Sequence, residues 1–363
     1  MATQLHTEFI PQVVRVVPPR IENPKAKKKL VRRTDRDYSQ ALRRGFQFAF
    51  LLMNVCLGGI FYVWVRQFEP GGHANALSRP AGVEGWLPIA GMMNTSYLLQ
   101  TGRIPQIHPA AMVLFLAFLS ISIAFRKAFC GWLCPVGTIS EQLWKYGRQM
   151  FRRVFFPPRW LDVPLRGLKY LLLALFVWAV ATMSAAGIRS FLAGPYGMIA
   201  EVKMLGFFRS LTPTAAVVIG ILVLGSFFVP NLWCRYLCPY GALMGLGALV
   251  SPMRIRRDPV RCIDCAKCAK ACPAALPVDR LIHIRSAECI GCLECLAVCP
   301  SEGALILGVR KSRRVSPYAV AIGIAIILVV SIGAAKLTGH WQSPISDVVY
   351  RRLIPIAAEL GHP

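Results

Sequence analysis

The sequence predicts an α-helical integral membrane protein of about five transmembrane helices, with a cysteine-rich polar domain of α+β type inserted before the last of them. Three observations carry this. The 363-residue chain is 55% hydrophobic and only 16% charged, and its apolar residues gather in long unbroken blocks. Its charge is lopsided, with 42 Lys and Arg against 17 Asp and Glu, and the cations fall between the blocks. Eight of the thirteen cysteines lie in two near-copies of one phrase, CIDCAKCAKACP from Cys262 to Pro273 and CIGCLECLAVCP from Cys289 to Pro300.

Residues 1–45 are basic and rich in Pro and Lys (PPRIENPKAKKKLVRR) and read as a disordered cytoplasmic tail. A signal peptide is excluded, because the first apolar stretch is too long and too far from Met1. Apolar blocks follow at residues 46–65, 107–125, about 168–188, about 213–230 and 316–335, each close to the roughly 20 helical residues that cross a hydrocarbon core. Residues 190–199 and 241–250 are apolar but shorter and read as interfacial or re-entrant segments. Of the 42 Lys and Arg, 33 fall on one alternating side of these five spans and nine on the other. That bias puts the N-terminus and the cysteine-bearing loops in the cytoplasm and the C-terminus outside. The expected domains are the tail 1–45, a four-helix membrane domain 46–253, a polar domain 254–309, and a fifth helix with a short outer end, 310–363. A basic balance can also mark a nucleic-acid binder, but cations separated by apolar blocks predict no nucleic-acid partner.

Each cysteine phrase reads C-x2-C-x2-C-x3-C-P, the ligand run of bacterial ferredoxins that hold two [4Fe–4S] clusters. Three closely spaced thiolates wrap one side of a cubane, and the fourth, followed by Pro, reaches the other cluster. Cys262, Cys265, Cys268 and Cys299 are thus the expected ligands of one cluster, and Cys289, Cys292, Cys295 and Cys272 of the second, in a cytoplasmic two-cluster ferredoxin-like domain. Structural zinc also takes four cysteines, but a third cysteine at the same spacing, twice over, is foreign to zinc ribbons. A disulfide framework does not fit these spacings or a cytoplasmic setting. Lys267, Lys270, Arg280 and Arg285 lie among the ligands, as counter-charges, as a surface for an acidic redox protein, or as a solvated face.

A second repeat is quieter. FCGWLCPVG supplies Cys130 and Cys134, and WCRYLCPYG supplies Cys234 and Cys238, at the cytoplasmic ends of the second and fourth spans. Spans one and two therefore read as a repeat of spans three and four. Proline after the second cysteine suits the first position of a new helix, which places Cys134 and Cys238 near helix N-termini, where a thiolate is favoured. Three readings stay open for these four: ligands of an additional metal centre, reactive dithiols, or tight-turn residues that bind nothing. Cys56, alone in the first span, reads as a small apolar residue. His108, at the outer end of the second span, is either a quinone or haem contact or structural, and residues 84–105 read as an amphipathic segment at the outer interface.

The combination of RKAFCGWLCPVGTISE, WCRYLCPYGAL and the paired phrases resembles the NosR/NapH/CcoG-type bacterial membrane polyferredoxins over most of the chain, closest in layout to the NapH-like members. The resemblance implies an electron-transfer subunit of the bacterial inner membrane, with cytoplasmic clusters and redox protein partners on either side, working with the quinone pool. It resembles a quinol dehydrogenase subunit more than a complete enzyme. NosR-like members carry a flavin-binding domain ahead of their spans, where this sequence has only the basic tail, so no flavin is expected. No nucleophile–base set, phosphate loop or dinucleotide fingerprint is present in the sequence, so neither hydrolysis nor NAD use is expected. The competing function is a maturation factor that reduces and hands over a metal such as copper through the four C-x3-C-P thiols, for assembly of a respiratory enzyme.

Overall fold

In a computed structural model of the protein, which describes residues 30–34, 37–73, 77–152, 155–309 and 313–361, each of the five apolar blocks is helical. Helix α1 (Ser39–Arg66) leads through a 3-10 turn (Ala81–Trp86) to α2 (Pro88–Thr101) and α3 (Pro109–Phe125). A π turn (Phe129–Leu133) joins α3 to α4 (Pro135–Phe151), and α5 (Arg159–Ala181) follows. Three short helices, α6 (Ala185–Ala193), α7 (Pro195–Met198) and α8 (Ala200–Arg209), lead to α9 (Pro213–Phe228), α10 (Leu232–Tyr236) and α11 (Pro239–Leu249). The polar domain comprises β1 (Met253–Arg257), α12 (Lys267–Lys270), α13 (Glu294–Ala297), β2 (Leu305–Val309) and β3 (Arg313–Arg314). Helices α14 (Pro317–Leu337) and α15 (Asp347–Leu353) end the chain.

Among the described residues three helices are long and apolar enough to cross a membrane, α1, α5 and α14, or four if α8 and α9, bent by 82°, form one span. By length and composition these account for four of the about five spans expected, the remaining block being the shorter apolar α3, of 17 residues. The expected third block is cut at Ala181, because Ser184 accepts the Gly187 amide and caps a new helix. Helix α3 has 17 residues, begins at Pro109, and buries ten of them. Apolar all round, it is a core helix, packed by α2, α11 and α14.

The repeat has at its centre α3, a cysteine turn and α4, matched by α9, α10 and α11, with α1 packed on the first unit and α5 on the second. The halves exchange partners: α4 packs on α9 and α11 packs on α3. Both cysteine turns therefore meet at the same end of the bundle, beneath the polar domain. That domain closes on an antiparallel sheet in the order β1-β2-β3, with Met253 opposite Val309 and Arg257 opposite Leu305.

The basic tail ends earlier than expected. Residues 1–29 lie outside the described part, but α1 begins at Ser39, and Arg43 is fully buried. Its guanidinium donates to both oxygens of Glu141 on α4 (2.6 and 2.7 Å), to Glu294 on α13 (3.0 Å) and to the Gly131 carbonyl in the π turn (3.1 Å). Lys145 bonds both carboxylates from the solvent side (2.7 and 2.8 Å). At the opposite end, Glu84 accepts from Arg79 (2.7 Å) and from the Ala111 amide at the start of α3 (3.1 Å). His108 lies 3.3 Å from the same carboxylate. It is wholly buried and also bonds the Gly197 carbonyl (2.7 Å), which fits the structural reading of this residue. Residues 84–105 pack onto α3 largely as α2.

Burial alone would raise the Glu141 pKa, but hydrogen bonds and charge from Arg43 outweigh it and hold the carboxyl at about 2. The stability this group adds is present above its unfolded value near 4.5 and is lost as pH falls from there toward 2. Glu141→Gln leaves Arg43 buried without its main counter-charge and is expected to cost about 3 kcal/mol. The expected result is a lower thermal midpoint at pH 7 in detergent and a weaker loss of stability between pH 4.5 and 2; an unchanged midpoint contradicts it.

Candidate metal centres

The two cysteine phrases fold as two copies of one loop. In the first, Asp264 and Ala266 have φ of 54° and 55°; in the second, Gly291 and Leu293 have φ of 62° and 59°. Left-handed residues before the second and third cysteines curl the chain round a hollow and turn amides inward, the arrangement that favours an anionic guest. The third cysteine of each loop then rides on a one-turn helix, Cys268 on α12 and Cys295 on α13, and these two helices pack together.

The thiols sort into two groups. Cys262, Cys265, Cys268 and Cys299 line one cavity with Ile263, Ala266 and Ser301. Cys272, Cys289, Cys292 and Cys295 line another with Ile255, Leu276 and Val278. These are the two crossed sets expected from the spacing, each taking its fourth thiol from the other phrase. Among the described residues no three His, Cys, Asp or Glu side chains group tightly enough to hold a single metal ion; each set of thiols instead surrounds a hollow. Backbone amides aim at the sulfurs, from Ala269 to Cys268, Ala274 and Leu276 to Cys272, and Glu294 to Cys292. All-thiol donors around a hollow with inward amides fit a cubane iron–sulfur cluster. Cys289, Cys292 and Cys295 are buried, whereas Cys265 is exposed and Cys262 and Cys299 are half-buried. The second set thus lies deep and the first toward solvent.

The four C-x3-C-P thiols also come together. Cys134 and Cys238 immediately precede Pro135 and Pro239 at the starts of α4 and α11. Amides of Val136 and Gly137 point to Cys134, and those of Tyr240 and Gly241 to Cys238. Charge on Cys130, Cys134 or Cys238 acts on Cys234, so the four share one neighbourhood. The structure reverses the expected ionisation, however. Burial pushes Cys130 up to about 12, against the pull of Lys127, and Cys134 up to about 11, against its amides. Cys56 is exposed on α1.

Cys130 and Cys234 line a cavity with Lys127, Glu141, Arg235 and Glu288. Three of its walls, Pro273, Ala274 and Ile290, also line the deep cavity of the polar domain. The two are pressed together at Gly131, where any side chain would collide with the Ile290 carbonyl, and Trp132 donates its indole N–H to the Gly291 carbonyl (3.0 Å). Charges around this cavity are matched: Lys169 binds Glu288 (2.6 Å), Arg235 binds Asp162 (2.9 Å) and Arg43 binds Glu141 (2.6 Å). Lys127, only 2% exposed, makes no hydrogen bond or close ion pair among the described residues, but its charge acts on the nearby Glu288 carboxylate and helps hold it below the usual range. Sequence reasoning passed over Lys127, Arg43 and Glu288; the available signal was an ionisable residue flanking an apolar block.

The profile of a family described as a 4Fe-4S binding domain matches residues 107–155 and 211–257, the two structural repeats, and that of a 4Fe-4S dicluster domain matches residues 254–312. The chain is 45% identical over 326 residues to YccM of Escherichia coli (strain K12), covering 88% of this chain and 91% of YccM. It is 26% identical over 256 residues to the ferredoxin-type protein NapH of Haemophilus influenzae, covering 68% and 78% of the two chains. It is also 31% identical over 157 residues to the regulatory protein NosR of Pseudomonas aeruginosa, covering 40% of this chain and 20% of NosR. No solved structure matches. With iron–sulfur binding domains joined to apolar helices, and with likeness to YccM along nearly its whole length, the chain belongs to the NapH/NosR-like membrane polyferredoxins.

Proposed function

We propose that the protein is an inner-membrane electron-transfer subunit with three thiol-held iron–sulfur centres in a row, running from the end of the helical bundle to the cytoplasmic surface. The observation that carries this is the shared wall. The C-x3-C-P cavity and the deep ferredoxin cavity have Pro273, Ala274 and Ile290 in common, and α12 and α13 join the deep cavity to the outer one. YccM carries an electron-transport name and NapH a ferredoxin-type name, in keeping with this reading.

Cys289, Cys292, Cys295 and Cys272 hold the inner ferredoxin cluster in this reading, and Cys262, Cys265, Cys268 and Cys299 the outer one. Cys130, Cys134, Cys234 and Cys238 hold the third. When bound, such clusters supply one-electron carriers at potentials set by charge, hydrogen bonds to sulfur and exposure. The chain supplies those settings: burial for the inner sets, amides at the sulfurs, and the buried ammonium of Lys127 beside the third. A cluster with four thiolates is anionic, and a buried cation beside it offsets that charge. Lys127, whose charge acts on Cys130 and Cys234 as well as on Glu288, is in keeping with a resident anionic centre. The Lys and Arg bias supports a cytoplasmic side for the cysteine end. At the other end, a wide, mostly apolar cleft lined by Trp86, Met93, Phe191 and Phe207 suits a membrane-soluble carrier such as a quinone, or a redox protein from outside.

Iron and acid-labile sulfide in anaerobically purified protein test the count. Roughly twelve irons per chain are expected, falling to roughly eight in Cys134→Ala/Cys238→Ala with the ferredoxin signals intact. Roughly eight in both proteins removes the third centre; none removes the electron-transfer reading.

Replacing Lys127 with Met takes away a positive charge that stabilises the added electron. An EPR-monitored redox titration is expected to show one midpoint potential lowered by several tens of millivolts and the others unmoved, whereas Lys127→Arg stays near the wild-type value. A uniform shift, or none, contradicts this role.

A further inference from the structure

We infer that the cleft between α4 and the ferredoxin helices is the docking site for an acidic, soluble electron-carrier protein. The inference rests on the electron-transfer reading above and goes beyond it by giving the carrier a place and a charge. The cleft, about 1370 Å³ including its mouth, is lined by Lys145, Arg148 and Arg152 of α4 and the turn after it, and by Lys267 and Lys270 of α12. Trp144, Ala271 and Val298 add apolar surface. Its single carboxylate, Glu294, is already bound by Lys145 and Arg43. Arg148, Arg152, Lys267 and Lys270 are exposed and make no ion pair among the described residues. Four free cations thus face one opening, the complement of an acidic patch.

Position identifies the guest as a redox carrier. The lining residues adjoin ligands of both ferredoxin sets: Lys267 precedes Cys268, Ala271 precedes Cys272, Glu294 precedes Cys295 and Val298 precedes Cys299. A protein seated here is separated from both clusters by little more than the ligand backbone. One electron passes between carrier and cluster in either direction, with no proton or atom transferred. The basic N-terminal segment of the same chain has the wrong sign to fill the cleft. A lipid headgroup would match the charge but has no use for proximity to two redox centres.

The probe is a purified acidic flavodoxin, and the readout is its affinity for the intact protein in nanodiscs of neutral lipid, by fluorescence of a label on the flavodoxin. Affinity is expected to fall at least about tenfold between 50 and 500 mM salt. It should fall by at least about tenfold in Lys267→Glu/Lys270→Glu, and likewise in Arg148→Glu/Arg152→Glu, which lies away from the cysteine loops. Iron content and reduction by methyl viologen radical should be unchanged in both. Affinity unaffected by salt or by either double variant overturns the inference. So does a loss confined to binding of anionic vesicles, which would make the cleft a lipid contact. A wild-type protein whose clusters methyl viologen cannot reduce fails at the earlier step, removing the electron-transfer reading itself.

Discussion

Everything at the cysteine end depends on one buried cation. The guanidinium of Arg43 ties the first helix to Glu141 on α4, to Glu294 in the ferredoxin domain and to the carbonyl of Gly131 between two cysteines. A charge taken out of water is tolerable only when its partners are already in place. Each of those elements therefore holds the others to one geometry. Gln47, one turn further along α1, repeats two of the contacts, to Gly131 and Glu141. The small cluster domain, with only a three-stranded sheet and two single-turn helices of its own, is oriented by this knot.

The same logic orders the rest of that end. Lys169 with Glu288, Arg235 with Asp162, and Arg126 donating to the Ser286 carbonyl each cross from the helical bundle to the polar domain or brace the junction. Buried polar networks of this kind specify a unique arrangement more than they add stability. Here they fix which face of the ferredoxin domain meets the bundle: the face carrying Ile290 and Pro273. The deep thiol set is thereby set against the C-x3-C-P turns while the other set is left near solvent. Lys127, buried and acting on Glu288 without a hydrogen bond among the described residues, stands where the two halves of the bundle and the deep set come together.

Much of this was legible in sequence. The C-x2-C-x2-C-x3-C-P spacing is a local constraint, and the crossed grouping of the eight thiols is what the structure shows around its two hollows. Proline after Cys134 and Cys238 marked helix starts correctly, because a missing N–H costs nothing there. Other readings failed for tertiary reasons. The electrostatic pull of a helix N-terminus on a thiol was outweighed by burial at Cys134 and Cys238. That α3 is surrounded by protein was not legible, since hydropathy does not distinguish a helix packed in protein from one packed in lipid. His108 drew attention as a lone histidine, yet its surroundings make it a staple between Glu84 and Gly197.

By itself, then, the sequence determined the elements and the ligand chemistry: which blocks are helical, where prolines start them, and which cysteines share a loop, all set by contacts within a few residues. Only the tertiary structure decided how the three thiol sets stand to one another, that α4 and α11 cross over to the opposite half, and that Lys127 is buried beside Cys130 and Cys234. Those features depend on pairing charges far apart in the chain, such as Arg43 with Glu294 and Lys169 with Glu288. Local propensity carries no record of such pairs, because they become favourable only once folding has removed the water between them.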